Sequence, residues 1–65
     1  MNVILNGQPK ELADGLTVKA LIQQLEITGP VAIELNLEVC PKAQHETTII
    51  KEGDKLEVVT IVGGG

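Results

Sequence analysis

Only one segment of this 65-residue chain has apolar residues spaced as in an α-helix. In residues 17–25 the apolar side chains recur at intervals of three and four, and Thr17 stands where a helix N-cap is expected. An amphipathic helix this short has one apolar face and cannot form a core alone. The sequence therefore predicts one helix lying against a β-sheet, with a buried side made of Val18, Leu21, Ile22 and Leu25.

The other regular segments alternate apolar and polar residues with the period of a strand. Asn6-Gly7 is a strong hairpin signal that joins a strand at residues 2–6 to one at 8–13. Pro9 restricts the second strand to a sheet edge, because proline cannot donate a ladder hydrogen bond. Further strands are predicted at residues 31–35, 38–40 and 55–62.

Residues 42–48 are predicted to be irregular or to form one helical turn, with Ile49 and Ile50 filling the core beneath them. Two strands, a helix and three more strands, with one helix across a mixed sheet, is the β-grasp arrangement. We predict an α+β fold with a mixed four- to five-stranded sheet and one main helix on one face. The domain is expected at residues 1–62, followed by a flexible glycine tail at 63–65.

The tail, Gly63-Gly64-Gly65, follows directly on an apolar strand. Three extended residues carry the last carboxylate at most about 10 Å beyond the folded body. A slot too narrow for any Cβ would admit such a tail. We expect it to be the working part of the chain, and the alternative is a frayed end without a function.

The last predicted strand changes from charged to apolar on its outer face as it approaches the tail. Because one helix covers only one side of a sheet, Ile4, Val59 and Ile61 are expected to be partly exposed near the base of the tail. With Val62 they form the predicted partner-binding face. Scattered surface aliphatic residues are also normal, so the alternative is a face without a function.

Composition excludes several functions. The chain has no aromatic residue and a net charge of −4, which disfavours nucleic acid binding. It has no secretory signal and no apolar span of twenty residues, and a single cysteine forms no internal disulfide. We therefore expect a cytoplasmic protein that does not bind membranes. A chain of this size buries about 60% of its unfolded surface, which disfavours a deep active-site cleft.

Cys40 and His45 are the one thiol and the one imidazole of the chain. Two potential ligands five residues apart fall short of a zinc signature, so no metal site is predicted. Cys40 is expected to be an ordinary buried or edge thiol.

Five stretches together resemble the ThiS family of sulfur carriers of thiamine biosynthesis, in the ubiquitin-like group that also contains the molybdopterin carriers. They are residues 1–7, 16–25, 31–36, 39–42 and 52–65. The resemblance covers essentially the whole chain. It departs from the family at Leu37, where glycine often follows the asparagine, and at Cys40, where an aliphatic residue is usual.

This resemblance implies a carrier that is not an enzyme and binds no cofactor. The Gly65 carboxylate would be adenylated by a separate, E1-like activating enzyme that uses ATP. Sulfur from a cysteine persulfide would convert it to a thiocarboxylate, which would donate sulfur to a thiazole synthase. Gly63 and Gly64 would thread into these partner enzymes.

Three other functions remain open: a molybdopterin-type sulfur carrier, a ubiquitin-like modifier linked through Gly65, and a docking module that uses only the apolar face. The short chain favours the thiamine carrier over the molybdopterin type. Deleting Gly64 and Gly65 separates the docking module, which would keep its function, from the carriers and the modifier, which would lose it.

Overall fold

The computed structural model describes residues 1–61, which form a five-stranded mixed sheet and one α-helix. The strands lie in the order β2-β1-β5-β3-β4. Strands β1 and β5 are parallel, and the other neighbours are antiparallel. The elements are β1 (Asn2–Leu5), β2 (Gln8–Glu11), α1 (Val18–Gln24), β3 (Val31–Leu35), β4 (Glu38–Cys40), a 3-10 turn (Lys42–Gln44) and β5 (Lys55–Thr60).

This order of elements confirms the predicted α+β, β-grasp fold, with five strands in the sheet. The predicted domain end at Val62 and the glycine tail at residues 63–65 lie outside the described residues.

The single helix begins and packs as its sequence predicts. The Thr17 side chain accepts a hydrogen bond from the backbone N–H of Ala20 at 3.1 Å, which caps the first turn. Val18 and Leu21 are fully buried, whereas Lys19 is exposed. The helix therefore covers one face of the sheet and leaves the other face without a covering element among the described residues.

The first hairpin also follows its sequence signal. Asn6 and Gly7 have φ angles of 49° and 79°, as a two-residue hairpin turn of type I′ requires. Pro9 lies on the edge strand β2, where its missing N–H costs no ladder bond. Strand β2 ends at Glu11, two residues before the predicted end, although Leu12 still exchanges backbone hydrogen bonds with Met1 and is buried in the core.

Ile49 and Ile50 do not both fill the core, so this prediction is wrong for Ile49. Ile50 is buried, but Ile49 is 54% exposed. Ile49 bridges to Thr17, and the Ile50 N–H donates to the Leu16 carbonyl at 2.9 Å. In such an extended segment adjacent side chains point to opposite sides, so only one of the two can be buried. The buried apolar residues are Val3, Leu12, Val18, Leu21, Ile33, Cys40, Ile50 and Leu56.

The turn between β3 and β4 holds a leucine in a conformation that favours glycine. Asn36 and Leu37 have φ angles of 53° and 72°, and the Leu37 side chain is 81% exposed. A side chain with a Cβ costs about 1–2 kcal/mol in the left-handed region, and this exposed leucine gains little from burial. Leu37, which departs from the family pattern, is therefore strained in this tight turn.

We expect Leu37→Gly to raise the free energy of unfolding by about 0.5–1 kcal/mol. Relief of the Cβ strain is partly offset by the greater freedom of glycine in the unfolded chain. Urea denaturation measures the difference. Leu37→Ala is the matched control, because it removes the apolar side chain but keeps the Cβ. Equal stability of the glycine and alanine variants would contradict the strain.

Candidate functional site

The base of the glycine tail lies at one end of the central strand. β5 is hydrogen-bonded between β1 and β3, and its last residue, Thr60, lies opposite Val31. The Ile61 N–H donates to the Pro30 carbonyl at 3.0 Å, so the chain remains attached to the sheet one residue beyond β5. Ile61, the last described residue before the tail, therefore continues from the central strand of the sheet. Val62, Gly63, Gly64 and Gly65, which the sequence analysis assigns to the site, lie outside the described residues.

The uncovered face of the sheet is apolar beside the tail. Val59 is 57% exposed and Ile61 is 52% exposed. Val59 lies opposite Ala32, which is also exposed, and partners opposite each other in an antiparallel pair share a face. Val59, Ala32 and Ile61 therefore form an exposed apolar patch at the tail end of this face, which we call the tail patch.

Ile4 does not belong to the tail patch, and the prediction that it lies near the base of the tail is wrong. Ile4 is half-buried and lies level with Lys55, at the start of β5. Ile61 is six residues further along that strand, which at about 3.3 Å per residue is roughly 20 Å away. Ile4 shares the uncovered face but occupies its opposite end.

Two carboxylates lie on the uncovered face next to the tail patch. Glu34 and Glu57 are directly opposite each other across β3 and β5. Neither forms an ion pair with another residue of the described part of the chain. Like charges placed opposite each other destabilise a sheet slightly, so this pair adds negative charge to the face at a cost to the fold.

Val39 is a further exposed apolar residue of this face that the sequence analysis did not include. It is 72% exposed and lies opposite Glu34. Strand β4 has only three residues, which is too short for an alternation pattern to assign its faces. The pairing register of β3 and β4 is what places Val39 beside the two carboxylates.

Asn6 fastens the first hairpin to β5, which the sequence analysis also did not predict. Its side-chain carbonyl accepts from the Val58 N–H at 2.7 Å, and its side-chain amide donates to the Val58 carbonyl at 3.3 Å. These bonds replace the strand contact that β1 would make if it continued. They join residues 52 positions apart in sequence, which no local pattern reveals.

Cys40 and His45 are brought together in the core and not in a surface site. Both are 7% exposed, and His45 Nε2 lies 3.0 Å from the Cys40 carbonyl oxygen. The Cys40 thiol lies 3.7 Å from the Thr48 hydroxyl. The expectation of a buried thiol is confirmed, and these contacts stabilise the turn around residues 42–44. Among residues 1–61, no three potential metal-ligating side chains cluster.

A groove of about 680 Å³ lies on the helix side of the sheet. It reaches the tail end of the molecule, because Pro30 and Val31 line it and are the partners of Ile61 and Thr60. An exposed ion pair between Lys19 and Glu46, at 3.6 Å, forms part of the wall of this groove. The described residues that line the groove include no serine, threonine or cysteine. They are Lys19, Ile22, Gln23, Gly29, Pro30, Val31, Lys42, His45 and Glu46.

Within the described part of the chain, no helix has the length and apolar character needed to cross a bilayer.

Comparison with known proteins gives a consistent family. A family model described as the ThiS family matches residues 3–65, so the match includes the glycine tail. The crystal structure of a thiamine biosynthesis protein (ThiS) from Geobacter metallireducens is similar over 100% of both chains, with a TM-score of 0.85 and 35% identity.

Two relatives match the whole length of this chain, but one of them is a much longer protein. The sulfur carrier protein ThiS of Escherichia coli (strain K12) is 29% identical over 66 residues and is covered completely, as is this chain. A thiazole synthase of Paramagnetospirillum magneticum is 38% identical over 66 residues, which are 100% of this chain but only 20% of that protein. This chain thus spans about a fifth of that relative.

Proposed function

The chain belongs to the ThiS family, and from this membership we infer that it is a sulfur carrier of thiamine biosynthesis. The observation that carries this inference is the family match, which extends through Gly65. Its chemistry would take place at the Gly65 carboxylate, and the folded domain would serve to present that group to other enzymes.

We propose that an E1-like enzyme activates Gly65 at the expense of ATP. The carboxylate attacks the α-phosphate of ATP and gives an acyl adenylate and pyrophosphate. The outer sulfur of a cysteine persulfide on the donor then attacks the acyl carbon and displaces AMP, which gives an acyl disulfide with the donor cysteine. A thiol attacks the sulfur of the donor cysteine, forms a disulfide with it and releases the Gly65 thiocarboxylate. ATP belongs to the activating enzyme, and the chain itself would hold no cofactor.

The acceptor of the sulfur would be a thiazole synthase. Two relatives of this chain, from Paramagnetospirillum magneticum and Magnetococcus marinus, are thiazole synthases in which the similar region covers 20% of the protein. A carrier region within the same polypeptide as the synthase supports direct contact between the two activities. We propose that this chain makes the same contact with a thiazole synthase.

We also propose a cytoplasmic location. Cys40 is a free, buried thiol, and a chain with one cysteine gains nothing from an oxidising compartment.

Incubation of the purified chain with ATP and the activating enzyme of the same organism tests this function. We expect release of pyrophosphate and an AMP adduct on Gly65. A docking module that used only its surface would bind the enzyme without either product, and that result would reject the carrier function.

The tail patch is proposed as the contact surface for the activating enzyme. We expect Val59→Asp to weaken binding by about 10-fold or more, because a carboxylate would be buried against an apolar partner surface. Titration calorimetry measures the affinity. Gln8→Asp, which adds the same charge on the exposed edge strand β2, is the control. Equal effects of the two variants would exclude the tail patch from the interface.

A further inference from the structure

The end of β5 presents an unpaired strand edge next to the tail. On one side β5 pairs with β3 along its whole length, as far as Thr60 opposite Val31. On the other side β1 pairs only with Lys55 and Leu56. Beyond that point the Asn6 side chain bonds to Val58, and no strand of the described chain continues towards the tail.

The alternation of hydrogen bonds along β5 shows which of its backbone groups point towards the side that β1 leaves unpaired. The Asn36 N–H donates to the Lys55 carbonyl and the Ile61 N–H to the Pro30 carbonyl, so alternate residues from Lys55 onwards bond to β3. The backbone groups of the intervening residues therefore point the other way, towards β1. The Leu56 carbonyl accepts from the Asn6 N–H there, at 2.9 Å.

Thr60 is the next residue in this alternation after Val58. Its N–H and C=O point towards the side of β5 where β1 has already ended, and they have no hydrogen-bond partner within residues 1–61. Thr60 is exposed, and so are its neighbours Val59 and Ile61. Exposed β-branched residues with unpaired backbone groups are a template for addition of another strand.

We propose that an extended segment of the activating enzyme pairs with Thr60 and adds a short strand beside β5, in the position that β1 would occupy if it continued. This inference rests on the proposed function and names the backbone contact that would hold the base of the tail. Backbone N–H and C=O groups need complementary partners when a surface is covered, and an added strand supplies both.

The need to hold the Gly65 carboxylate in place for adenylation favours this enzyme as the occupant. Gly63, Gly64 and Gly65 offer a partner only backbone to bind, and pairing that begins at Thr60 continues the same kind of contact. Gly65 is five residues beyond Thr60, so its carboxylate lies at most about 17 Å from the clamped residue. Fixing Thr60 limits where the carboxylate can reach, which adenylation requires.

Thr60→Pro removes the N–H donor and is the test. It costs no bond to β3, because the Thr60 N–H points away from that strand. The preceding residue is in a strand, which proline accepts. Thr60→Ala is the matched control, because it shortens the side chain but keeps the donor. We expect Thr60→Pro to weaken binding to the activating enzyme by about 10-fold and Thr60→Ala by less than about 2-fold.

Hydrogen exchange of the wild-type chain gives a second measurement that does not depend on folding of the proline variant. We expect the Thr60 amide to exchange much more slowly in the complex than in the free chain. Unchanged exchange, or equal affinity of the proline and alanine variants, overturns the proposal. The proposal is also overturned if Thr60→Pro weakens binding to a thiazole synthase but not to the activating enzyme. It is likewise overturned if the wild-type chain forms a dimer that Thr60→Pro dissociates. Normal adenylation of the wild type in these cases leaves the proposed function intact, whereas its absence rejects that function.

Discussion

Gly64→Ala is expected to slow adenylation of Gly65 by about 100-fold while the domain remains folded. The proposed route of the tail is a channel that fits bare backbone, and one methyl group would displace the carboxylate by about 1 Å, which is enough for a loss of this size. The rate of pyrophosphate release with saturating ATP and a fixed amount of activating enzyme measures the effect.

Two controls accompany this variant. Its urea midpoint is expected to equal that of the wild type, because the sheet and the buried core described here are formed by residues 1–61. Lys10→Ala, on the exposed edge strand β2, is expected to keep the wild-type rate. A wild-type rate for Gly64→Ala would show that no narrow channel receives the tail.

Leu56→Ala is expected to lower the free energy of unfolding by about 2–5 kcal/mol. Leu56 is fully buried in the central strand, opposite Leu5 on one side and Leu35 on the other. Its truncation loses apolar burial and leaves a cavity. Domains of this size have only about 3–10 kcal/mol to lose, so we expect a partly unfolded protein at 37 °C.

Leu37→Ala makes the same chemical change at a residue that is 81% exposed. We expect it to alter the free energy of unfolding by less than about 0.5 kcal/mol. Urea denaturation of the two alanine variants compares the sites directly. A Leu56→Ala loss as small as that of Leu37→Ala would mean that the core does not lie between α1 and the sheet.

The elements of the fold were predictable because each has a local signal. The spacing of apolar residues predicted α1, Asn6-Gly7 predicted the first hairpin, and Pro9 predicted an edge strand. These signals depend on backbone geometry over a few residues, and no distant part of the chain is needed to interpret them.

Features that depend on pairing between distant strands were not predictable. Ile4 and Ile61 share a face but lie at opposite ends of it, which follows from the register of β1 and β5. The Asn6 bonds to Val58 and the open edge at Thr60 have the same origin. A sequence pattern assigns a residue to a face, but only the register gives its position along the sheet.

The candidate site was likewise predictable only where a local sequence signal exists. The glycine tail was recognisable from sequence because three consecutive glycines after an apolar strand are unusual in a small domain. The surface around its base was only partly recognisable. Val59 and Ile61 were predicted from alternation, whereas Val39 required the pairing of β3 with β4.

Intact-protein mass spectrometry of the chain from cells short of thiamine, with fragmentation of the C-terminus, tests the central claim most directly. A sulfur carrier is expected to show a mass increase equal to the exchange of one oxygen for sulfur, localised to Gly65. Only the unmodified mass, with no adenylate or thiocarboxylate even after incubation with ATP and cell extract, would contradict the account and favour a docking module.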